Sequence, residues 1–383
     1  MPGSDHHRWR RRLPPGTDSR QTGRVTSLWL QSLNVRLAGI EVLRRIDLHV
    51  DSGASLAILG RSGSGKTTLL RTIVGLEQPS GGRVIVGGFD LTDVPTAERG
   101  IALVTQQPSL DPKASLATNV ERPLKLRGDN PPRSRQRRAV LELGRFGLRS
   151  RANARAEETS AGEQQTAATA RGTVRQPGLL LLDEPVTAID PDARRLMVRR
   201  LKQQQMANET TVIIATNDWE VAAGLADQIG VLANGTIIQL GSAVDLYDYP
   251  ASIEVAELTG RWQLNLLPAR LRLVPGERSE LVTGAGPIRT WRDIGGGPMT
   301  VGLRPSDLTI TDHGDLRGTV NHSVVFGPSS LVEVSAGDTT LRTLGPVPPP
   351  EPGSPVRIAW RQAHVFSPDG EALHHIEAPP TAL

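Results

Sequence analysis

Cysteine, aromatic residues and long hydrophobic runs are all missing or scarce in this sequence. The absence of cysteine excludes disulfide bonds, thiolate zinc sites and a cysteine nucleophile, and it fits a reducing compartment. The aromatic residues are six Trp, two Tyr and four Phe, which is too few for a platform that stacks nucleic-acid bases. Because no run reaches the roughly 18 consecutive apolar residues of a membrane-spanning helix, we expect a chain that does not cross a membrane by itself.

The overall composition is that of a folded globular protein. The chain has 383 residues, a length typical of two domains or of one large domain with an appendage. Hydrophobic residues make up 38% and charged residues 22%, and the net charge is only +4. This composition excludes a chain that is disordered throughout.

The basic excess is concentrated in residues 1–25, which contain six arginines and two aspartates. The arginine triplet at 10–12 is followed by prolines, whereas an export signal would continue into an apolar stretch. We therefore expect a disordered basic tail over residues 1–25 with no targeting role. With the charge located in the tail and the aromatics scattered, we also expect no nucleic-acid partner.

The order of apolar segments and turn signals predicts an α/β fold. An apolar run over 54–59 is typical of a buried strand, and a glycine-rich turn and a helix over 66–76 follow it. Two further runs, at 179–182 and 211–216, are typical of parallel strands buried on both faces. The arginine-rich stretch at about 107–160 predicts an inserted helical lobe.

Local signals mark the later elements. Asp190 followed by Pro191 predicts an N-cap and a helix that runs through Leu201. Asn234-Gly235 between two β-branched runs predicts a hairpin. Over residues 242–383, short alternating segments separated by glycine and proline predict a small all-β domain.

Residues 60–67 match the phosphate-binding loop pattern and lie between a predicted strand and a predicted helix. Glycines let successive backbone N–H groups turn toward an anion, and the helix N-terminus adds its positive dipole end. Lys66 would contact the β- and γ-phosphates, and the Thr67 hydroxyl would bind Mg²⁺. The flanking strand and helix argue against a chance glycine-rich turn. The predicted nucleotide-binding residues of this loop are Gly60, Arg61, Ser62, Gly63, Ser64, Gly65, Lys66, Thr67 and Thr68.

An acidic pair follows the second buried run. Asp183, at the end of that strand, can hold Mg²⁺ through its water shell, and Glu184 can polarise a water for in-line attack on the γ-phosphate. A strand that merely runs into an acidic loop would explain these residues taken alone. Their combination with the phosphate loop favours a nucleotide-hydrolysing site.

The order of these motifs resembles that of ABC transporter ATP-binding subunits, over residues 26 to about 378. Residues 159–164, Thr-Ser-Ala-Gly-Glu-Gln, stand where the family has its Leu-Ser-Gly-Gly-Gln signature. Gln106 stands at the Q-loop and residues 188–190 at the D-loop. Segments 301–308 and 365–370 resemble the regulatory TOBE domain of binding-protein-dependent importers. The resemblance implies an ATP-binding domain over 26–241, with a P-loop NTPase sheet and an inserted helical lobe, followed by a small OB-like β-domain.

The resemblance also implies cofactors, partners and residue roles. Ser160 and Gly162 would act on the γ-phosphate bound by the opposite subunit, so that a homodimer encloses two ATP·Mg²⁺. The dimer would bind integral-membrane permease subunits at the cytoplasmic face of the membrane, and an extracytoplasmic solute-binding protein indirectly. Other subunits would select the solute. The C-terminal domain is compatible with the iron, polyamine, sulfate or sugar branches of the family, with a lean toward ions or polyamines. The implied catalytic residues are Glu184, Gln106 and Asn217, and the implied metal ligands are Thr67, Gln106 and Asp183.

Five positions depart from the family pattern. Asn217 replaces the switch histidine and cannot carry a proton or a positive charge. Leu37 stands where an aromatic residue would stack on adenine. In and after the signature, Ala161 replaces a glycine, Glu163 a glutamine and Thr166 an arginine. Together these changes predict weaker ATP binding and slower turnover.

We therefore expect an ATP-binding and ATP-hydrolysing subunit that energises solute import. The alternative is a clamp that dimerises on ATP with little or no hydrolysis. An ABC-type head of a DNA-repair or chromosome protein would need a long heptad insertion between residues 67 and 159, and the sequence has none. A GTPase would need an Asn-Lys-x-Asp guanine selector, and Asn217-Asp218 lacks the lysine.

Overall fold

The computed structural model describes residues 26–126, 131–186, 189–273, 279–290 and 297–378. The predicted tail over 1–25 and the alanine of the D-loop, Ala188, lie outside the described residues. The chain divides between Ala243 and Val244 into two compact units. Within the described ranges, no helix is both long enough and apolar enough to cross a membrane.

Two β-sheets form the framework of the first unit. The strands described in it are β1 (Leu28–Leu37), β2 (Ile40–Val50), β3 (Ser55–Leu59), β4 (Gly81–Val86), β5 (Phe89–Asp90), β6 (Ala102–Val104), β7 (Leu179–Asp183), β8 (Thr211–Thr216), β9 (Gln228–Ala233) and β10 (Thr236–Gly241). An antiparallel sheet has the order β2-β1-β4-β5, and a mixed sheet has the order β10-β9-β3-β8-β7-β6.

The mixed sheet is parallel except at its β10 edge. There, β9 and β10 are joined by Asn234 and Gly235 with φ of 47° and 77°, which confirms the predicted hairpin. Strands β3, β7 and β8 are buried along their whole length, as predicted for strands covered on both faces. Because they run in one direction, their carboxyl ends meet at a single edge, with Leu59 beside Thr216 and Asp183 beside Ala215.

Helices cover both faces of the mixed sheet. Those described in the first unit are α1 (Lys66–Val74), α2 (Leu116–Leu126), α3 (Pro132–Arg145), α4 (Ala161–Thr173), α5 (Pro191–Asn208) and α6 (Trp219–Leu225). Helix α1 ends two residues before the predicted position because Gly75 terminates it with φ of 85°. Helix α5 begins at the predicted cap, where the Ala193 N–H donates to Asp190 Oδ1 at 3.0 Å, and it extends beyond Leu201.

Side chains along β7 point alternately to the two faces of the sheet and belong to two separate hydrophobic clusters. Leu179 and Leu181 pack with α1 and the antiparallel sheet, whereas Leu180 and Leu182 pack with α4, α5 and the helical lobe. Each such leucine stabilises the fold by about 1.5–3 kcal/mol through burial. The predicted lobe consists of α2, α3 and two described 3₁₀ turns, and its buried residues belong to the same hydrophobic cluster as those of α4.

The second unit is β-rich and begins with two short helices, α7 (Ala243–Asp248) and α8 (Ile253–Leu258). Its described strands are β11 (Asn265–Arg272), β12 (Ser279–Thr283), β13 (Gly286–Thr290), β14 (Pro298–Leu303), β15 (Leu308–Ile310), β16 (Leu316–Phe326), β17 (Ser329–Ala336), β18 (Thr339–Gly345), β19 (Pro355–Trp360), β20 (Gln362–Phe366) and β21 (Ala372–Glu377).

Five of these strands close a barrel in the order β15-β18-β17-β16-β19, and the other six form a sheet in the order β13-β12-β11-β14-β20-β21. The predicted OB-like β-domain is confirmed by this five-stranded barrel. The two helices were not predicted. They are held by the buried guanidinium of Arg304, which donates to the carbonyl oxygens of Tyr247, Ala256 and Thr259.

A second buried arginine, Arg99, closes the C-terminal end of α1. Its Nη1 donates to the carbonyl oxygens of Thr72 and Ile73 at 3.1 and 2.9 Å, and its Nε donates to that of Val94 at 2.7 Å. Carbonyl groups in the last turn of a helix have no partner within the helix, so this guanidinium satisfies them and adds a favourable charge. Since α1 begins at Lys66, Arg99 supports the helix that carries the predicted site.

We expect Arg99→Met to lower the free energy of unfolding by about 3 kcal/mol, because it removes the hydrogen bonds to the carbonyl oxygens of Thr72, Ile73, Thr92 and Val94 and leaves the buried Ile73 oxygen without this donor. Urea denaturation of the purified chain measures the loss. The matched control is Arg83→Met at an exposed position of β4, for which a change within about 0.5 kcal/mol is expected. Equal effects of the two substitutions would contradict the role given to Arg99.

Candidate nucleotide-binding site

The loop between β3 and α1 is shaped by its glycines. Gly63 and Gly65 have φ of 81° and 108°, which favours glycine at both positions. At Gly60, a Cβ atom would lie 2.4 Å from the carbonyl oxygen of Leu232, so only glycine fits against the neighbouring strand. With glycine at these positions, the backbone of the loop can approach a bound ligand closely.

The first turn of α1 offers free donors and no competing acid. Gly65 precedes the helix and supplies no side-chain cap, and the first turn contains no acidic residue. The first N–H groups of a helix have no partner within it, and together with the dipole they attract an anion. In the described part of the chain, the buried Ser64 Oγ has no hydrogen-bond partner. These features fit a bound phosphate group.

Lys66 is buried in the loop, with 7% of its surface exposed. Its ammonium donates to the carbonyl oxygens of Gly60 and Arg61 at 2.8 and 3.0 Å. Its Nζ lies 3.8 Å from Glu184 Oε1. A cation is thus held in the middle of the loop, at the position where the sequence predicted contact with the β- and γ-phosphates.

Strand β7 brings the acidic pair to the same place. Asp183 is its last residue, and the Thr67 hydroxyl donates to Asp183 Oδ1 at 3.3 Å. Glu184 has φ of 47°, an unusual value for a residue with a side chain, and its N–H donates to the carbonyl oxygen of Ala215 at 2.9 Å. Thr216 Oγ1 donates to Glu184 Oε2 at 3.3 Å. Neighbouring strand β8 therefore fixes both the backbone and the carboxylate of Glu184.

Burial shifts the pKa values of two charged groups in the site. Burial lowers the pKa of Lys66 below its usual value, while the carboxylates of Glu184 and Asp183 act in the opposite direction. Burial raises the pKa of Asp183, against the Thr67 hydrogen bond and the Lys66 charge. Burial thus disfavours the charged forms of both Lys66 and Asp183, and such shifts are common at sites that bind a charged substrate and a metal ion.

The oxygen donors present fit Mg²⁺. Among the described residues, no three His, Cys, Asp or Glu side chains are grouped as a metal site. The Thr67 hydroxyl and the Asp183 carboxylate are two hard oxygen ligands 3.3 Å apart. Mg²⁺ commonly takes one or two protein oxygens and completes its shell with phosphate oxygens and water. Thr67 and Asp183 would hold it here together with the substrate.

Two other predicted residues lie at the same edge of the sheet. Gln106 comes two residues after β6, and Asn217 directly after β8. Both side chains are exposed, and neither forms a hydrogen bond with any part of the chain that the structure describes. The structure thus joins Lys66, Thr67, Asp183 and Glu184 directly and leaves the roles of Gln106 and Asn217 as predictions.

The signature residues form a separate helix start. Ser160 is the N-cap of α4, and its hydroxyl accepts the Glu163 N–H at 3.2 Å. The Ser160 N–H donates in return to Glu163 Oε2 at 2.9 Å. Gly162 lies in the first turn, where its carbonyl oxygen accepts the Thr166 hydroxyl. No described contact connects Ser160 or Gly162 with the phosphate loop of the same chain.

Sequence reasoning missed one residue of the site. The Thr216 hydroxyl orients Glu184, whereas the sequence pattern predicts Thr216 only as the end of a β-branched strand. A hydroxyl at the carboxyl end of an otherwise apolar buried strand was the available signal, since a buried hydroxyl needs a partner.

A lysine in a glycine-rich loop, together with an acidic pair at the end of the adjacent parallel strand, defines a P-loop nucleoside triphosphatase. The family model for ABC transporters matches residues 43–187, and that for the TOBE domain matches residues 301–367. This matches the class of nucleotide-binding site just described.

Known proteins resemble the chain over most of its length. The spermidine/putrescine import ATP-binding protein PotA of Ruegeria pomeroyi is 34% identical over 87% of this chain and 91% of that protein. The Fe(3+) ions import ATP-binding protein FbpC of Brucella abortus is 32% identical over 84% of this chain and 92% of that protein. A solved dimer of the ATP-binding cassette MJ0796 with ADP and Pi has 29% identity and a TM-score of 0.53, covering 56% of this chain and 98% of that one.

The chain belongs to the ABC transporter family. It is an ABC-type ATPase with a C-terminal TOBE domain, of the class of ATP-binding subunits that energise import.

We expect Lys66→Ala to weaken ATP binding about 10- to 100-fold, because a charge-assisted contact to phosphate is lost from a buried position. Equilibrium binding of a fluorescent ATP analogue with Mg²⁺ measures the affinity. Lys113→Ala, which removes an exposed lysine of the helical lobe, is the matched control and should bind as the unchanged chain does. Unchanged affinity in Lys66→Ala would contradict the position assigned to the phosphates.

Asp183→Asn should raise the midpoint of thermal unfolding at pH 7 while weakening Mg²⁺-dependent ATP binding. The folded-state pKa of Asp183 lies above the ordinary aspartate value, because burial disfavours the charged form. Folding therefore loses stability as the pH rises through that pKa, and the asparagine variant is spared this loss. Its advantage should shrink as the pH falls below the ordinary aspartate range. Asp312→Asn, at an exposed position, is the control, and an equal gain there would refute the burial argument.

Proposed function

We propose that two copies of this chain enclose two ATP·Mg²⁺ and hydrolyse them slowly while bound to integral-membrane permease subunits at the cytoplasmic face of the membrane. The observation that carries this proposal is the convergence of Lys66, Thr67, Asp183 and Glu184 within hydrogen-bond or ion-pair distance at one sheet edge. A solute-binding protein on the other side of the membrane would contact the permease and act on this chain only indirectly.

Each residue of the cluster has a chemical role in this proposal. The loop amides and Lys66 bind and orient the triphosphate, so that the γ-phosphate faces the acidic pair. Thr67 and Asp183, with Gln106 from the segment after β6, would hold Mg²⁺, which when bound neutralises charge on the phosphate oxygens. Glu184 orients a water in line with the γ-phosphorus and accepts its proton as the new P–O bond forms and the bond to ADP breaks.

In the proposed dimer, each copy contributes contacts to the nucleotide that the other copy binds. Helix α4 begins at Ala161, directly after its N-cap Ser160, and its first-turn N–H groups suit a phosphate group. In the solved structure similar to this chain, the ATP-binding cassette is dimeric. We infer that Ser160 and Gly162 of one copy contact the nucleotide held by the loop of the other copy.

Slow turnover is proposed from Asn217. It follows β8 at the edge that carries Glu184, where the family has a histidine. An amide can donate a hydrogen bond to the γ-phosphate, but it cannot donate or accept a proton during the reaction. Leu37 and Ala161 add to the effect, because the first removes ring stacking on adenine and the second adds a methyl group beside the phosphate.

The solute is proposed to be cationic. PotA is named for the import of spermidine and putrescine and FbpC for that of ferric ions, and both kinds of solute carry positive charge. Radiolabelled polyamine and ferric-ion uptake by cells that express the chain with its permease would test this proposal, and uptake of neither would refute it.

We expect Asn217→His to raise the steady-state ATPase rate at least about tenfold, since a positioned imidazole can transfer protons near neutral pH. Phosphate release by the chain assembled with its permease measures the rate. Asn217→Gln keeps an amide at the same position and should give no gain. A rate unchanged in Asn217→His would contradict the proposed cause of slow turnover.

A complete loss of hydrolysis is expected in Glu184→Gln, measured by the same release of phosphate. Full activity of that variant would overturn the proposed catalytic role of Glu184.

A further inference from the structure

The first turn of α4 already holds an anion of its own. Glu163 accepts the Ser160 N–H on Oε2 at 2.9 Å, and its other carboxylate oxygen accepts Arg151 Nε at 3.2 Å. Arg151 is anchored in turn, because its Nη2 donates to the carbonyl oxygen of Glu158 at 3.0 Å. A negative charge and its counter-charge therefore lie in a fixed arrangement at the positive end of the helix dipole.

This arrangement leaves only part of the helix end for a phosphate group. The N–H groups of Ser160 and Glu163 are used within the capping box. Those of Ala161 and Gly162 have no acceptor in the part of the chain that the structure describes. A γ-phosphate brought here by the other subunit would meet two free N–H groups and the carboxylate of Glu163.

We propose that Glu163 opposes ATP-driven closure of the dimer by repelling the γ-phosphate, and that Arg151 sets the strength of this opposition by partly neutralising it. The inference rests on the proposed function, since it concerns the phosphate that the dimer brings to α4. Glu163 and Arg151 change the free energy of dimer closure and leave the rate of the chemical step unchanged.

The size of the effect follows from the exposure of the pair. Arg151 is 43% and Glu163 29% exposed, so solvent and salt screen both charges. A charge at a helix N-terminus changes an equilibrium by up to about fivefold. A two-fold symmetric dimer contains two such helix ends, so the dimerisation constant should change by up to about 25-fold.

The test uses the full chain carrying Glu184→Gln, which keeps ATP bound by preventing hydrolysis. Its ATP- and Mg²⁺-dependent dimerisation is measured by sedimentation equilibrium at low salt and at about 0.5 M salt, where screening is strong. Adding Glu163→Gln should tighten the dimer by several-fold up to about 25-fold, because glutamine keeps the capping box and removes the charge. Adding Arg151→Gln should weaken it, and the double substitution should return close to the starting affinity.

The neighbouring ion pair provides the matched control. Arg155 Nη1 lies 3.8 Å from Glu157 Oε1, and both side chains are exposed. Glu157→Gln and Arg155→Gln make the same changes of net charge without touching the cap, so they should shift dimerisation by less than about twofold. The effects at Glu163 and Arg151 should shrink at high salt, whereas thermal unfolding of these variants should show that the cap is intact.

The outcomes separate this inference from the function on which it rests. Dimers that form on ATP with equal affinity in all variants would overturn the inference and leave the proposed function standing. Weakening by both Glu163→Gln and Arg151→Gln would also overturn it, since that is the result of a purely structural ion pair. A Glu184→Gln chain that binds ATP but never dimerises would overturn the proposed sandwich itself, and the inference with it.

Discussion

The buried ammonium of Lys66 is the charge on which the rest of the site depends. It holds the loop closed through the carbonyl oxygens of Gly60 and Arg61, and it faces the carboxylate of Glu184. Burial works against its charged form, whereas the carboxylates of Glu184 and Asp183 favour it. A triphosphate would add negative charge beside the ammonium, and contacts between charges are stronger in a buried site than in water.

This cluster could be predicted because the loop after β3 leads directly to Lys66 and Thr67, and because Asp183 and Glu184 stand at the end of β7. A continuous apolar run identifies a strand buried on both faces, and such strands are parallel. The residues that follow Leu59 and Leu182 therefore had to meet at one edge, and the register beside β8 bears this out. The hairpin at Asn234 could also be predicted, because its turn depends only on two adjacent residues with positive φ.

What could not be predicted depends on contacts between distant parts of the chain. Arg99 and Arg304 look like surface residues in the sequence, and their burial becomes visible only when the carbonyl groups around them are placed. The hydroxyl of Thr216 likewise gains its partner from Glu184, which follows β7 and lies 32 residues earlier in the chain. A polar group can be buried only where it finds hydrogen-bond partners. When those partners come from other elements of the fold, no periodic pattern in the sequence reveals them.

The departures from the family pattern act on two different steps of one cycle. Asn217 directly follows β8 at the edge that carries Glu184, so in the proposed function its lack of a titratable proton would slow the chemical step. Glu163 stands at the helix end that would meet the partner's nucleotide, so under the proposal its charge would oppose closure. A dimer that closes weakly and hydrolyses slowly spends much of its time open with ATP bound. Such an enzyme would remain controlled by its permease, because contacts from the membrane subunits could supply the free energy of closure that the nucleotide alone does not.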